Sequence, residues 1–197
     1  DQVVHDVCLQ SLDVTLAMDR AGVAGADGAT HQGMYDIAYL RHLPNIICMA
    51  PKDENELQHM LRTAVEYDGP AAIRYPRGTG FGVPLDPDVK AIPVGESELL
   101  RDGDDVLIVA YGTVARVCTT AIEELAERGV RVAMIRPITV YPFPYEAVRE
   151  AAEKARAVLV VELSTGQLVE DVRQALEGSR PIHFHCRLGG MLVTPEE

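Results

Sequence analysis

Short apolar runs rich in β-branched residues recur along this chain, and stretches of helical period separate them. The runs are DVTLAMD, NIICMAP and PAAIRYPRG in the first half, then DVLIVAYGT, VRVAMIRP, RAVLVVEL and PIHFHCRLGG in the second. Between them lie MYDIAYLRHLP, DENELQHMLRTAVEYD, VARVCTTAIEELAERG, YPFPYEAVREAAEKA and GQLVEDVRQALEG. A strand buried on both faces reads as a continuous apolar run, and a crossover helix returns the chain to the same edge. The alternation therefore predicts an α/β chain with parallel, doubly wound sheets.

The helices carry local start and stop signals. Asp53 is placed to cap the second of the first-half segments, with Glu56 three residues on as a capping box requires. Leu57, Met60, Leu61, Ala64 and Val65 form its expected buried stripe. Gly129 and Gly178 stand where two second-half helices should stop. Residues 79–99, TGFGVPLDPDVKAIPVGESEL, have no helical period and are rich in Gly and Pro. They are expected to link a unit over 1–78 to a second βαβ unit over 100–197.

Composition removes several function classes. The 197 residues are 47% hydrophobic, which suits a folded core. The formal net charge of −12 and the lack of any basic block argue against nucleic acid as a partner, because phosphate backbones need clustered Lys and Arg. No apolar run reaches membrane-spanning length, so no membrane partner is expected. No signal peptide is read at the start, and Asp1 falls inside a helix-like pattern, as in a fragment. Cys8, Cys48, Cys118 and Cys186 form no C-x-x-C pair and read as reduced thiols of a cytoplasmic protein.

The polar break in this pattern is DRAGVAGADGATHQGMYD, residues 19–36. Gly22, Gly25, Gly28 and Gly33 allow sharp turns and close backbone approach at a strand end, where ligands bind in such sheets. Asp19, Arg20, Asp27 and His31 project from it. RYPRG supplies Arg74 and Arg77 at another strand end. Arginines and a histidine suit an anionic, carbonyl-bearing substrate. Arg20 and Asp27 would equally make an ion pair that pins the loop, and His31 a hydrogen-bonded loop residue. The glycines match neither G-x-G-x-x-G nor a P-loop. In HFHC, His183 and His185 share a strand face while Cys186 points away, which makes exposed strand polarity the default over a metal site.

DRAGVAGADGATHQGMYDIAYLRHLPN, MAPKDENEL and YDGPAAIRYPRG together closely resemble the 1-deoxy-D-xylulose-5-phosphate synthases over residues 1 to about 100. These are transketolase-type, thiamine-diphosphate-dependent transferases of isoprenoid biosynthesis that condense pyruvate with glyceraldehyde 3-phosphate. The resemblance is to the later part of their pyrimidine-binding domain. It implies substrate-side roles for Arg20, Asp27 and His31, with Asp27 and His31 in the chemistry, and a phosphate-binding role for Arg77. It also implies thiamine diphosphate and Mg²⁺ as cofactors. The family's activating glutamate and its diphosphate-binding domain are not matched in this stretch, so the chain alone is expected neither to bind the cofactor nor to catalyse. A homo-oligomer or a missing partner domain is the corresponding expectation.

RPITVYPFP, LVVELSTGQLVEDVRQAL and RLGGMLVTPEE instead resemble the C-terminal domain of the α subunit of 2-oxoacid:ferredoxin oxidoreductases, from about residue 107 to 197. That domain shares the transketolase C-terminal fold. The change of resemblance near RDGDDVLIVAYGT suggests a chimera, a non-catalytic assembly module or a subunit of an oxidoreductase-like complex.

Overall fold

The computed structural model describes residues 1–197, apart from the side chain of Ala26. Nine strands form two sheets. The first has the order β1 (Thr15–Met18), β3 (Ala71–Arg74), β2 (Ile47–Met49), β7 (Thr139–Tyr141). The second has the order β4 (Ser97–Arg101), β6 (Val132–Pro137), β5 (Val106–Ala110), β8 (Ala157–Glu162), β9 (Ile182–Cys186). Within each sheet the interior strands are parallel, and the antiparallel members are the edge strands β7 and β4. The helices are α1 (Asp36–Leu40), α2 (Glu54–Glu66), α3 (Val114–Glu127), α4 (Tyr145–Ala152) and α5 (Leu168–Leu176).

Strand pleating explains why the apolar runs are continuous. In β5, Ile108 and Ala110 pack with Val114, Cys118 and Ile122 of α3. Their neighbours Leu107 and Val109 point the other way, into a core shared with Val148 of α4 and with Leu168 and Val172 of α5. That second core does not stop at the second sheet. It continues through Ile37 and Leu40 of α1 to Cys48 and Ala72 of the first sheet. Each fully buried Leu or Ile in it contributes about 1.5–3 kcal/mol.

α2 differs from its predicted face. Met60 and Ala64 are buried, but Leu61 and Val65 face solvent and Leu57 is partly covered. Glu56 and Thr63 take the remaining buried positions. Asp53 caps the helix, its carboxylate accepting from Glu56 N at 2.8 Å. Glu56 does not return the bond to Asp53 as a capping box would. Its carboxylate accepts instead from Lys52 N and from the Arg136 guanidinium. The helix-like pattern at the start of the chain contains a π-helical stretch, Val3–Cys8, with Leu9 N donating to Val4 O and Leu12 N to Val7 O.

Residues 79–94 have no helix or strand, yet they do not cross open space. They lie along α2, whose polar side chains hold their backbone. Glu54 accepts from the amides of Phe81, Gly82 and Val83. Asn55 accepts from Asp86 N, His59 pairs with Lys90 N and O, and Thr63 accepts from Ile92 N. The next residues enter β4 of the second sheet. After β6 the chain passes through Ile138 straight into β7, which pairs antiparallel with β2. A strand from the second half thus closes the edge of the first sheet.

Candidate active-site loop and its relatives

The loop that follows β1 is closed at its base by backbone bonds. Gly22 N donates to Gly33 O at 2.8 Å and Gly33 N to Gly22 O at 2.9 Å. Ala21 N donates to Tyr75 O at 3.0 Å, which ties this loop to the one after β3. The Gln32 amide bridges the interior, accepting from Ala24 N and donating to Gly28 O. Only glycine fits at position 33, because a Cβ there would lie 2.5 Å from Arg20 O. Arg20 itself has φ +56°, a left-handed conformation that costs a non-glycine residue about 1–2 kcal/mol.

That conformation turns Arg20 toward Asp27. Arg20 Nε donates to Asp27 Oδ2 at 2.9 Å, and Arg77 Nε stands 3.5 Å from the same oxygen. Arg20 also reaches Asp19 at 3.2 Å. The hydrogen bond from Arg20, helped by the charges of Arg77 and His31, holds the Asp27 carboxyl below its ordinary range. The same bond holds the Arg20 guanidinium more firmly protonated. His31 is exposed, with Nδ1 2.9 Å from the hydroxyl of Thr30. Of the four residues expected at the site, three therefore meet at one carboxylate, and His31 makes its recorded hydrogen bond to Thr30 instead.

The two arginines of RYPRG part company. Arg77 is half-exposed, whereas Arg74 is buried and donates to Asp36 Oδ2 at 2.5 Å. The Arg74 guanidinium also lies over the Tyr111 ring, 5.2 Å from its centroid. Burial opposes the charge on Arg74, but Tyr111 and Asp36 outweigh it and raise its pKa. Burial keeps the Tyr111 phenol neutral, and its hydroxyl donates to Glu162 at 3.4 Å. Glu162, a strand-end residue, is fully buried and accepts from Ser164 Oγ and from the amides of Gln167, Leu168 and Val169 at the start of α5. Sequence spacing gave no sign of this relay, since its members come from β3, α1, the residue after β5, and β8. Burial pushes the Cys48 thiol beside it up to about 12.

The family models match the chain in two pieces: the transketolase pyrimidine-binding domain over residues 1–80, and the pyruvate:ferredoxin oxidoreductase core domain II over residues 104–197. A solved structure described as a split gene transketolase, inactive beta4 tetramer, superposes with a TM-score of 0.80 and 28% identity, covering 95% of this chain and 61% of that one. The chain has a transketolase-type fold. Transketolase from Campylobacter jejuni shares that fold at a TM-score of 0.65 and 19% identity, over 87% of this chain and 26% of its own.

Curated relatives of this transketolase-type chain are 1-deoxy-D-xylulose-5-phosphate synthases. The protein from Heliobacterium modesticaldum is 53% identical over 163 residues, 82% of this chain. That from Geobacillus thermodenitrificans is 52% identical over 185 residues, 93% of this chain. The chain spans only 25% and 28% of their respective lengths. The Geobacillus match runs through both halves. The second half thus resembles the synthases as well as the oxidoreductase domain, and one relative accompanies the chain across the point where a crossover was expected.

The family is thiamine diphosphate-dependent. The residues present here do not fit that cofactor by themselves. Each buried carboxylate is already engaged: Asp36 with Arg74, Glu56 with Arg136, Asp171 with Arg41 and Tyr145, and Glu162 with the start of α5. None is free to face a pyrimidine nitrogen. Among the described residues no group of three His, Cys, Asp or Glu side chains is disposed to hold a cation for a diphosphate, and the His183–His185 face gains no such set. No described helix is long and apolar enough to cross a membrane.

Proposed function

We propose that this chain supplies the substrate-side wall of a 1-deoxy-D-xylulose-5-phosphate synthase-type active site. In the assembled protein that site condenses pyruvate with glyceraldehyde 3-phosphate and releases carbon dioxide. The observation that carries the reading is the single Asp27 carboxylate held between Arg20 at 2.9 Å and Arg77 at 3.5 Å. Arg77 is half-exposed, and its planar fork is suited to phosphate oxygens. Asp27 stays ionised and aims Arg20 at the substrate carbonyl region, while His31 exchanges a proton with a substrate oxygen. The strained backbone at Arg20 supports a functional reading over a merely structural pin.

A titration of the chain with glyceraldehyde 3-phosphate, followed through backbone amide signals, tests this. Shifts at Arg20, His31 and Arg77 that Arg77→Ala weakens at least tenfold are expected. Unmoved signals at all three would overturn it.

The second reading concerns assembly. We infer that the cofactor-binding remainder comes from elsewhere in a longer protein or from a partner chain, in the cytoplasm, and that the chain self-associates when alone. The split transketolase described as an inactive tetramer supports it, as do exposed Leu9, Leu12, Tyr35 and Tyr39 on one unit. Sedimentation of the isolated chain as a monomer at micromolar concentration would remove this support.

A further inference from the structure

The chain that leaves β9 turns back on itself over residues 187–197. Arg187 closes the base of this segment, its Nε donating to both carboxylate oxygens of Glu197 at 2.9 and 3.0 Å. Thr194 N donates to the same carboxylate at 3.4 Å. Val193 packs against the apolar cluster between α3 and the second sheet. Met191 N donates to Leu188 O at 3.4 Å and closes a tip made of Gly189 and Gly190. A surface loop whose ends are close and whose own side chains pack beneath it holds its tip in a defined place.

That tip meets the loop that follows β1. A Cβ on Gly190 would stand 3.0 Å from Gly25 O. The same oxygen accepts from Gly28 N at 3.2 Å, the bond that closes the short 3₁₀ turn Gly25–Asp27. Asp27 is the last residue of that turn. The second half touches the loop at another point as well, since a Cβ on Gly22 would lie 3.4 Å from the Cβ of Leu163, just after β8. The turn that carries Asp27 is therefore built by the first half and bears on the second.

We propose that Gly190 is a positioning residue for Asp27. Without a side chain at 190, the tip of the 187–197 segment seats against Gly25 O and fixes the turn that presents the Asp27 carboxylate to Arg20 and Arg77. A shift of Gly25 O passes to Asp27 two residues on, where the bond to Arg20 Nε at 2.9 Å leaves little slack. Groups that orient a substrate are sensitive to such displacements, because the productive geometry is narrow. The inference rests on the reading of Asp27 as part of the substrate wall, and adds that this wall is set from the second half of the chain.

The test compares Gly190→Ala with Gly189→Ala. Both glycines are left-handed, at φ +91° and +68°, so both substitutions strain the backbone, but a Cβ on Gly189 meets nothing within 4 Å. Carboxyl carbon shifts followed against pH, with no ligand present, read Asp27 directly. Gly190→Ala should move the Asp27 titration upward and shift the amides of Gly25, Asp27 and Gly28, and Gly189→Ala should leave all of these as in the parent chain. Arg187→Gln, which opens the base of the segment without adding an atom at its tip, should move the Asp27 titration in the same direction as Gly190→Ala. A glyceraldehyde 3-phosphate titration should weaken severalfold in Gly190→Ala and not in Gly189→Ala. Equal effects of the two alanines on Asp27, or an Asp27 titration unmoved by Gly190→Ala or by Arg187→Gln, would overturn the proposal whatever the ligand does. If the parent chain ignores the phosphate while Asp27 still answers to position 190, the substrate reading falls and the positioning of Asp27 stands.

Discussion

Arg136 grips Glu56 with both arms of its guanidinium, at 2.9 and 2.5 Å, across 80 residues of sequence. Its side chain is wholly buried, and Glu98 takes a further bond at 2.8 Å. The pair joins α2 of the first sheet to β6 of the second. Removing one partner leaves an uncompensated charge in the interior. Arg136→Leu is therefore expected to lose about 3–5 kcal/mol. The double variant with Glu56→Leu should lose less than the sum of the two single changes. Urea unfolding of all three proteins measures this, and strictly additive losses would mean that the pair has no coupling.

Gly33 is the tightest backbone approach under the loop that follows β1. Gly33→Ala must displace Arg20 O, at a cost of about 1–3 kcal/mol for the forced shift. Because Arg20 moves with it, phosphate-induced shifts at Arg20 and Arg77 should weaken in the same variant. A thermal melt together with a phosphate titration checks both, and unchanged values in each would mean that the loop yields freely.

Asp27 gives the loop an acid limit. Its folded pKa is depressed, chiefly by the hydrogen bond from Arg20. The stabilisation it brings is present above the unfolded pKa and is lost as pH falls through the folded value. Carboxyl carbon shifts followed against pH should show Asp27 titrating below an ordinary aspartate. Arg20→Ala should move that titration upward more than Arg77→Ala does.

His59 sets the opposite dependence for the segment docked on α2. Its pKa is raised, first by the hydrogen bond to Asp86 Oδ2 at 2.9 Å and also by Lys90 O, with the Glu56 charge adding to the effect. Lys90 also pairs with Asp88 nearby. The associated stability is fully present below the unfolded pKa and lost as pH rises through the folded one. Imidazole proton shifts should titrate above an ordinary histidine, and Asp86→Ala should bring them back.

How much of this was legible depended on whether the signal was local. The strands were readable because Val106–Ala110 and residues 132–135 are continuously apolar, and Asp53 could be seen as a cap from its position alone. Arg20, Asp27 and Arg77 were legible as a group through their loops and the family resemblance, and the ion pair between Arg20 and Asp27 was one of the two readings left open. The face of α2 was misjudged at Leu61 and Val65, because residues 79–94 cover polar positions of the helix and leave these two outside. Arg74 looked like a second anion ligand. Its partner Asp36 lies 38 residues away, and no spacing rule connects a strand end to the first residue of another helix.

The strand β7 has a consequence for the order in which the molecule is made. The first sheet is encoded early but cannot close its edge until Thr139–Tyr141 has left the ribosome and paired with β2. Until then the β2 edge stands open to any passing strand. A gene cut anywhere within residues 79–96 would make that exposure permanent in the first piece. For this molecule the Gly- and Pro-rich stretch is therefore a poor place for scissors, and the two pieces should regain solubility only when expressed together.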